Sequence, residues 1–115
     1  MTDWFDRLEA WGVDRAEIME RFVDDEGLYQ ECLNEFLKDR NFEALQKALE
    51  AKDYNQAFQC AHSLKGAAGN LGLKKVYEPM SALTEELRHK TLRNMDQYEQ
   101  QAFAAAEEVK HLLEP

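Results

Sequence analysis

The residues best suited to covalent chemistry lie in one short segment, residues 61–73, which reads AHSLKGAAGNLGL. The imidazole of His62 is a good nucleophile at neutral pH, and histidine side chains can form covalent intermediates. A phosphoryl group on this ring would carry close to two negative charges. Lys65, one helical turn away, has a flexible positive charge that could reach the phosphate oxygens. The segment therefore predicts nucleophilic chemistry at His62.

The residues around His62 predict an exposed imidazole. With successive residues about 100° apart around a helix, His62 points roughly 140° away from a stripe of small and apolar side chains. Gly66 and Gly69 lie on the same exposed face as His62. Because each interior glycine costs a helix roughly 0.5–1 kcal/mol relative to alanine, we expect both to keep the approach open for another protein. The stripe consists of Ala57, Ala61, Leu64, Ala68 and Leu71.

Helices are the elements that must position this segment. Apolar residues recur at steps of three and four along most of the chain, and no strand-like alternation is sustained. The connections near Gly72 and Leu92 are short, which favours antiparallel neighbours. The sequence predicts an all-α fold, an antiparallel four-helix bundle over roughly residues 26–113. A bend or break is expected at the polar stretch 38–41, and a kink at Pro79.

One or two short helices, over roughly residues 2–22, are expected to pack on this bundle. Thr2 is the predicted N-cap of the first helix, and Asp14 is the predicted N-cap of the second. The helix that carries His62 is expected to begin at Asp53 or Asn55. These predictions give the chain one core and a small N-terminal cover.

Length and charge exclude several classes of function. The 115 residues fit one domain, residues 1–115, with no room for a separate nucleotide-binding domain. The formal net charge of −9 would repel the phosphate backbone of nucleic acids. The sequence shows neither an apolar run of about 20 residues nor the pattern of a signal peptide. We therefore expect a cytoplasmic protein that binds neither nucleic acid nor membrane.

The motif His-Ser-Leu-Lys-Gly followed by Leu-Gly-Leu resembles the signature of histidine-containing phosphotransfer (HPt) domains. The resemblance is close over about thirteen residues, and the predicted helices of residues 26–113 are similar to the bundle of that family. It implies that His62 is the phosphoacceptor and that Lys65 assists the phosphate. It further implies that Gly66 and Gly69 keep the approach to His62 open.

The resemblance also implies a mechanism. The phosphoryl group would pass between His62 and an aspartate on the receiver domain of a response regulator, and a sensor histidine kinase would be a further partner. The Mg²⁺ would be bound by the receiver, so this chain is expected to be a monomeric phosphocarrier without kinase activity, cofactor or metal. In many members a glutamine approaches the histidine from the next helix. Thr84 occupies the corresponding place here, so this sequence departs from that pattern.

Two other functions fit parts of the sequence. Glu86 with His89, and Glu108 with His111, repeat the Glu-x-x-His spacing of di-iron four-helix bundles. The helical projection turns both histidines away from the apolar seams, whereas metal ligands in such bundles point inward. A helical binding module without phosphate chemistry is the other alternative. The two cysteines lack a Cys-x-x-Cys spacing and are expected to be inert.

Overall fold

The computed structural model describes residues 3–115, and all regular secondary structure within this range is α-helical. No helix within the described range is both long and apolar enough to cross a membrane. The helices, in chain order, are α1 (Trp4–Trp11), α2 (Arg15–Arg21), α3 (Glu26–Leu37), α4 (Asn41–Glu50), α5 (Tyr54–Asn70), α6 (Lys74–His89) and α7 (Met95–Leu113).

The last four helices form the predicted antiparallel four-helix bundle. Helix α5 packs between α4 and α6, and α6 packs against α7. Phe42 of α4 meets Phe103 of α7 edge to face, with ring centroids 5.3 Å apart, so the bundle closes on itself. Successive helices run antiparallel because each connection between them is short.

The polar stretch 38–41 divides the first long helical region of the chain into two helices. The predicted break at residues 38–41 is confirmed, since α3 ends at Leu37 and α4 starts at Asn41. The carboxylate of Asp39 accepts a hydrogen bond from the backbone N–H of Asn41 at 2.8 Å, which satisfies a donor at the start of α4. The short helices expected over residues 2–22 correspond to α1 and α2, and α3 lies before the break, within the predicted range 26–113.

Aspartates begin most of the helices, because a carboxylate can accept the unpaired N–H groups of a first turn. Asp14 caps α2 as predicted, and Asp53 caps α5 by accepting from Gln56 N–H at 3.2 Å. Helix α1 has Asp3 as its N-cap. The predicted cap Thr2 lies outside the described residues.

Pro79 does not interrupt α6, which is continuous from Lys74 to His89. Proline removes one backbone donor from a helix interior. The apolar seam of α6 nevertheless stays buried on both sides of it, through Val76, Met80, Leu83 and Leu87. Packing of this seam on α5 and α7 holds the helix together across the missing hydrogen bond.

The N-terminal helices hold the C-terminal end of α5. The last carbonyls of a helix lack partners within it and carry partial negative charge. Arg21 of α2 donates to the carbonyl of Asn70 at 2.6 Å. The buried hydroxyl of Tyr29, on α3, donates to the carbonyl of Leu71 at 2.7 Å. Two side chains distant in sequence thus fix the end of the helix that carries His62.

Tyr29→Phe should lower the free energy of unfolding by about 1–3 kcal/mol, because the carbonyl of Leu71 would stay buried without its donor. Urea titration followed by circular dichroism would measure the loss. Tyr54→Phe is the matched control, since the hydroxyl of Tyr54 forms no hydrogen bond with the described residues. Equal stability of the two variants would contradict the anchoring role of Tyr29.

Candidate functional site

Helix α5 has one side buried in the core and the opposite side exposed to solvent. The predicted stripe faces the core, since Ala57, Ala61, Leu64 and Ala68 are all fully buried. His62 projects from the opposite side and is exposed, as the helical projection predicts. It lies near the middle of the helix, so a rigid backbone on both sides positions the imidazole.

The imidazole of His62 rests on one neighbour, Phe58. The two rings stack with their centroids 5.8 Å apart and their planes only 12° from parallel. Side chains in a helix lean toward its N-terminus, which brings a residue over the one four positions before it. His62 therefore leans toward Phe58 and away from Gly66. No hydrogen bond or ion pair joins the imidazole to any described residue.

Phe58 is a site residue that the sequence reasoning missed. Its position four residues before His62 was the available signal, because such pairs contact each other on a helix surface. On α6, the guanidinium carbon of Arg88 lies 5.3 Å from the centroid of the Phe58 ring. Arg88 also forms an ion pair with Glu85, with Nε and Oε1 3.3 Å apart. Phe58 thus links the imidazole to α6.

Lys65 lies one turn after His62 and is half-buried on the flank of α5. Within the described part of the chain its ammonium group has neither an ion-pair partner nor a hydrogen bond. Lys47, by contrast, is paired with Glu43 at 3.0 Å. The charge of Lys65 is therefore available to an anion that arrives from outside.

The two glycines of the exposed face have different surroundings. A Cβ atom added at Gly66 would meet nothing within 4 Å, so the space over this residue is open. A Cβ atom at Gly69 would lie 3.2 Å from two ring carbons of Tyr77 on α6, closer than most Cβ contacts. Packing against Tyr77 is thus a sufficient structural reason for Gly69, while no such reason exists at Gly66.

Thr84 lies level with His62 on α6 but forms no hydrogen bond with its ring. Gly69 meets Tyr77, and Phe58 meets Arg88, so the antiparallel register of α5 and α6 brings Thr84 level with His62. The Thr84 side chain is fully buried, and its hydroxyl donates to the carbonyl of Met80 at 2.7 Å. The supporting contact that many HPt domains take from a glutamine is therefore not supplied by Thr84.

The glutamates and histidines of the di-metal alternative do not form a metal site. His89 and His111 are exposed, as predicted. The carboxylate of Glu86 accepts a hydrogen bond from the backbone N–H of Asn94 at 2.7 Å. Glu108 accepts from the indole of Trp11 at 3.0 Å. Across residues 3–115, no group of three or more histidine, cysteine or acidic side chains is arranged to hold a metal ion.

The two cysteines remain free thiols. Cys32 is half-buried, Cys60 is buried, and no disulfide joins them. Burial raises the pKa of both thiols, and the negative charge of Glu35 raises that of Cys32 further. A raised pKa keeps a thiol protonated and poorly nucleophilic, which agrees with the prediction that both are inert.

Comparison with known protein families matches the description "Hpt domain" over residues 27–114, which is most of the chain. The chain therefore belongs to the Hpt domain family, whose members act in two-component phosphorelays. Such domains are phosphocarriers rather than kinases, and they interact with kinases and response regulators. Neither the curated proteins nor the solved structures gave a match.

Gly66→Ala should raise the free energy of unfolding by about 0.5–1 kcal/mol, because the new methyl group enters open space and alanine favours a helix. Gly69→Ala should gain less or lose stability, since the ring of Tyr77 must move. Urea denaturation of both variants beside the wild type tests this difference. A destabilised Gly66→Ala variant would contradict the open space above Gly66.

Proposed function

We propose that His62 accepts a phosphoryl group from the aspartate of one receiver domain and passes it to the aspartate of another. The observation that carries this proposal is the exposed imidazole of His62, which lies beside open space at Gly66 and forms no polar contact with the described residues. A side chain in this setting is accessible to a partner and has no other task in the fold. Membership of the Hpt family supports the same role.

The chemical step needs little from this chain. In the neutral imidazole, Nε2 is the nitrogen farther from the backbone, and its lone pair is free when the proton is on Nδ1. This lone pair forms the new N–P bond while the bond between phosphorus and the aspartate oxygen breaks, and the electrons of that bond leave on the carboxylate. The imidazolium that results can release its Nδ1 proton to water. The reverse sequence returns the phosphoryl group to an aspartate.

Lys65 would assist by balancing charge. A phosphoryl group on His62 brings oxygen atoms that carry close to two negative charges, and the unpaired ammonium group of Lys65 lies one turn away. The Mg²⁺ that this reaction needs would be bound by the receiver domain. A monomeric state and a cytoplasmic location, both expected from the sequence, remain predictions.

His62→Gln should abolish labelling when the protein is incubated with phosphorylated receiver domains, because the amide provides no nucleophilic nitrogen. The matched controls are His89→Gln and His111→Gln, which remove the other two exposed histidines and should keep wild-type labelling. The label on the wild type should be labile in acid and stable in base. Label that persists in His62→Gln would contradict the proposal, and an unlabelled wild type would favour a binding module without phosphate chemistry.

Lys65→Ala should slow transfer, or shorten the lifetime of the phosphohistidine, by about three- to tenfold without eliminating either, since the ammonium group stabilises charge but makes no covalent bond. Lys110→Ala on α7 is the matched control, because Lys110 is exposed and also forms no ion pair with the described residues. The decay of purified phosphoprotein and single-turnover transfer measure the two effects. Equal values for both variants would leave Lys65 no role in the reaction.

A further inference from the structure

A row of side chains runs from α6 to the imidazole of His62. Glu85 forms an ion pair with Arg88 at 3.3 Å, and the guanidinium of Arg88 lies 5.3 Å from the centroid of the Phe58 ring. The Phe58 ring in turn stacks on the imidazole of His62. Phe58 is half-buried and packs against the hydrophobic core, so its own position is restrained. Phe58 therefore contacts both the core and the imidazole of His62.

The direction of this contact matters for the chemistry. The lone pair of an imidazole nitrogen lies in the plane of the ring, so phosphorus must approach the ring edge along that plane. The rings of Phe58 and His62 are stacked, with planes 12° from parallel and centroids 5.8 Å apart, so Phe58 lies against a face of the imidazole in an offset arrangement. Offset stacks are among the arrangements that aromatic pairs favour. The contact therefore restrains the plane in which the lone pair lies, and it leaves the ring edge open.

We propose that Phe58 is a positioning residue for phosphoryl transfer, which holds the plane of the His62 imidazole in the orientation that a docked receiver requires. This inference rests on the proposed function of His62. It assigns to an aromatic ring the orienting task that a polar side chain would otherwise perform. The hydroxyl of Thr84 is bonded to the carbonyl of Met80, and the described residues offer the imidazole no hydrogen bond.

The role differs from that of a docking contact in what it changes. A receiver holds its phosphoryl group at a fixed place and angle once it has docked, so a freely rotating imidazole would spend less time aligned with phosphorus. Loss of the stack should therefore slow transfer within the complex. It should leave the affinity for the receiver unchanged. A docking contact would show the opposite pattern.

Phe58→Leu should lower the single-turnover rate of transfer at saturating protein by about two- to tenfold, the range expected from the strength of an aromatic stack. The concentration at half-saturation should stay at its wild-type value. Phe58→Tyr keeps the aromatic face and should transfer at the wild-type single-turnover rate. Phe103→Leu is the matched control, since it removes another partly buried phenylalanine, on α7, and should leave transfer unchanged. The donor is a phosphorylated receiver domain that labels the wild type.

A partner-free measurement tests the stack itself. The His62 ring-proton chemical shifts, which the adjacent aromatic ring perturbs, should move in Phe58→Leu and stay in place in Phe103→Leu. Arg88→Met should move them part of the way, because it removes the guanidinium that lies against Phe58. Phosphoramidate, a small donor that can approach from any direction, should label the wild type and Phe58→Leu at similar rates. Equal slowing with this donor would mean a damaged nucleophile and would contradict positioning.

The outcomes separate this inference from the function on which it rests. A wild type that no receiver labels would contradict the relay at His62. A wild type that is labelled, with an unchanged saturating rate in Phe58→Leu, would contradict only the role of Phe58. A raised half-saturation at an unchanged rate would make Phe58 a docking residue, which also overturns the proposal. A slow single-turnover rate in Phe58→Tyr, like that of Phe58→Leu, would also overturn the positioning role of Phe58.

Discussion

The burial of one narrow side of α5 is the constraint on which the rest of the structure depends. Helices α4 and α6 both pack on α5, and a core side made mainly of alanines, with Leu64, lets them lie close to it. Because that side is fully occupied by the core, the other must face solvent. His62 and Gly66 lie there as a direct result. The site is the outer surface of a helix that packs between two others, which explains how an exposed side chain can have a firmly held backbone.

The N-terminal helices complete this arrangement. Arg21 and Tyr29 reach the carbonyl end of α5 from α2 and α3, so the helix is tied at its end as well as along its core side. The family match begins at residue 27, whereas Arg21 precedes it. Part of what secures the site therefore comes from a segment outside the shared domain. Fraying of the last turn of α5 is opposed just beyond Gly66 and Gly69, where glycine would otherwise favour it.

Local features of the sequence were enough to predict most of the fold. The caps Asp14 and Asp53, the break before Asn41 and the exposure of His62 follow from short-range preferences and helical spacing. The contacts made by Arg21 and by Tyr77 could not be predicted, since they join residues on different helices whose register becomes known only in three dimensions. The contact between Phe58 and His62 could have been predicted from the helical spacing that placed the glycines on the exposed face, because the two residues are four positions apart.

The absence of hydrogen bonds between the His62 imidazole and the described residues affects the energetics of phosphoryl transfer. Hydrogen bonds to the ring of His62 would favour either the free or the loaded form, and so change the group-transfer potential of the phosphohistidine. Within the described part of the chain His62 makes only an aromatic face contact, so hydrogen bonds to the ring add no such bias, and Lys65 is the group proposed to favour the loaded form. Net flux would then follow the relative amounts of phosphorylated receivers, with the stability of the phosphohistidine adjusted by Lys65. The carrier would act as a reversible conduit whose direction is set by mass action.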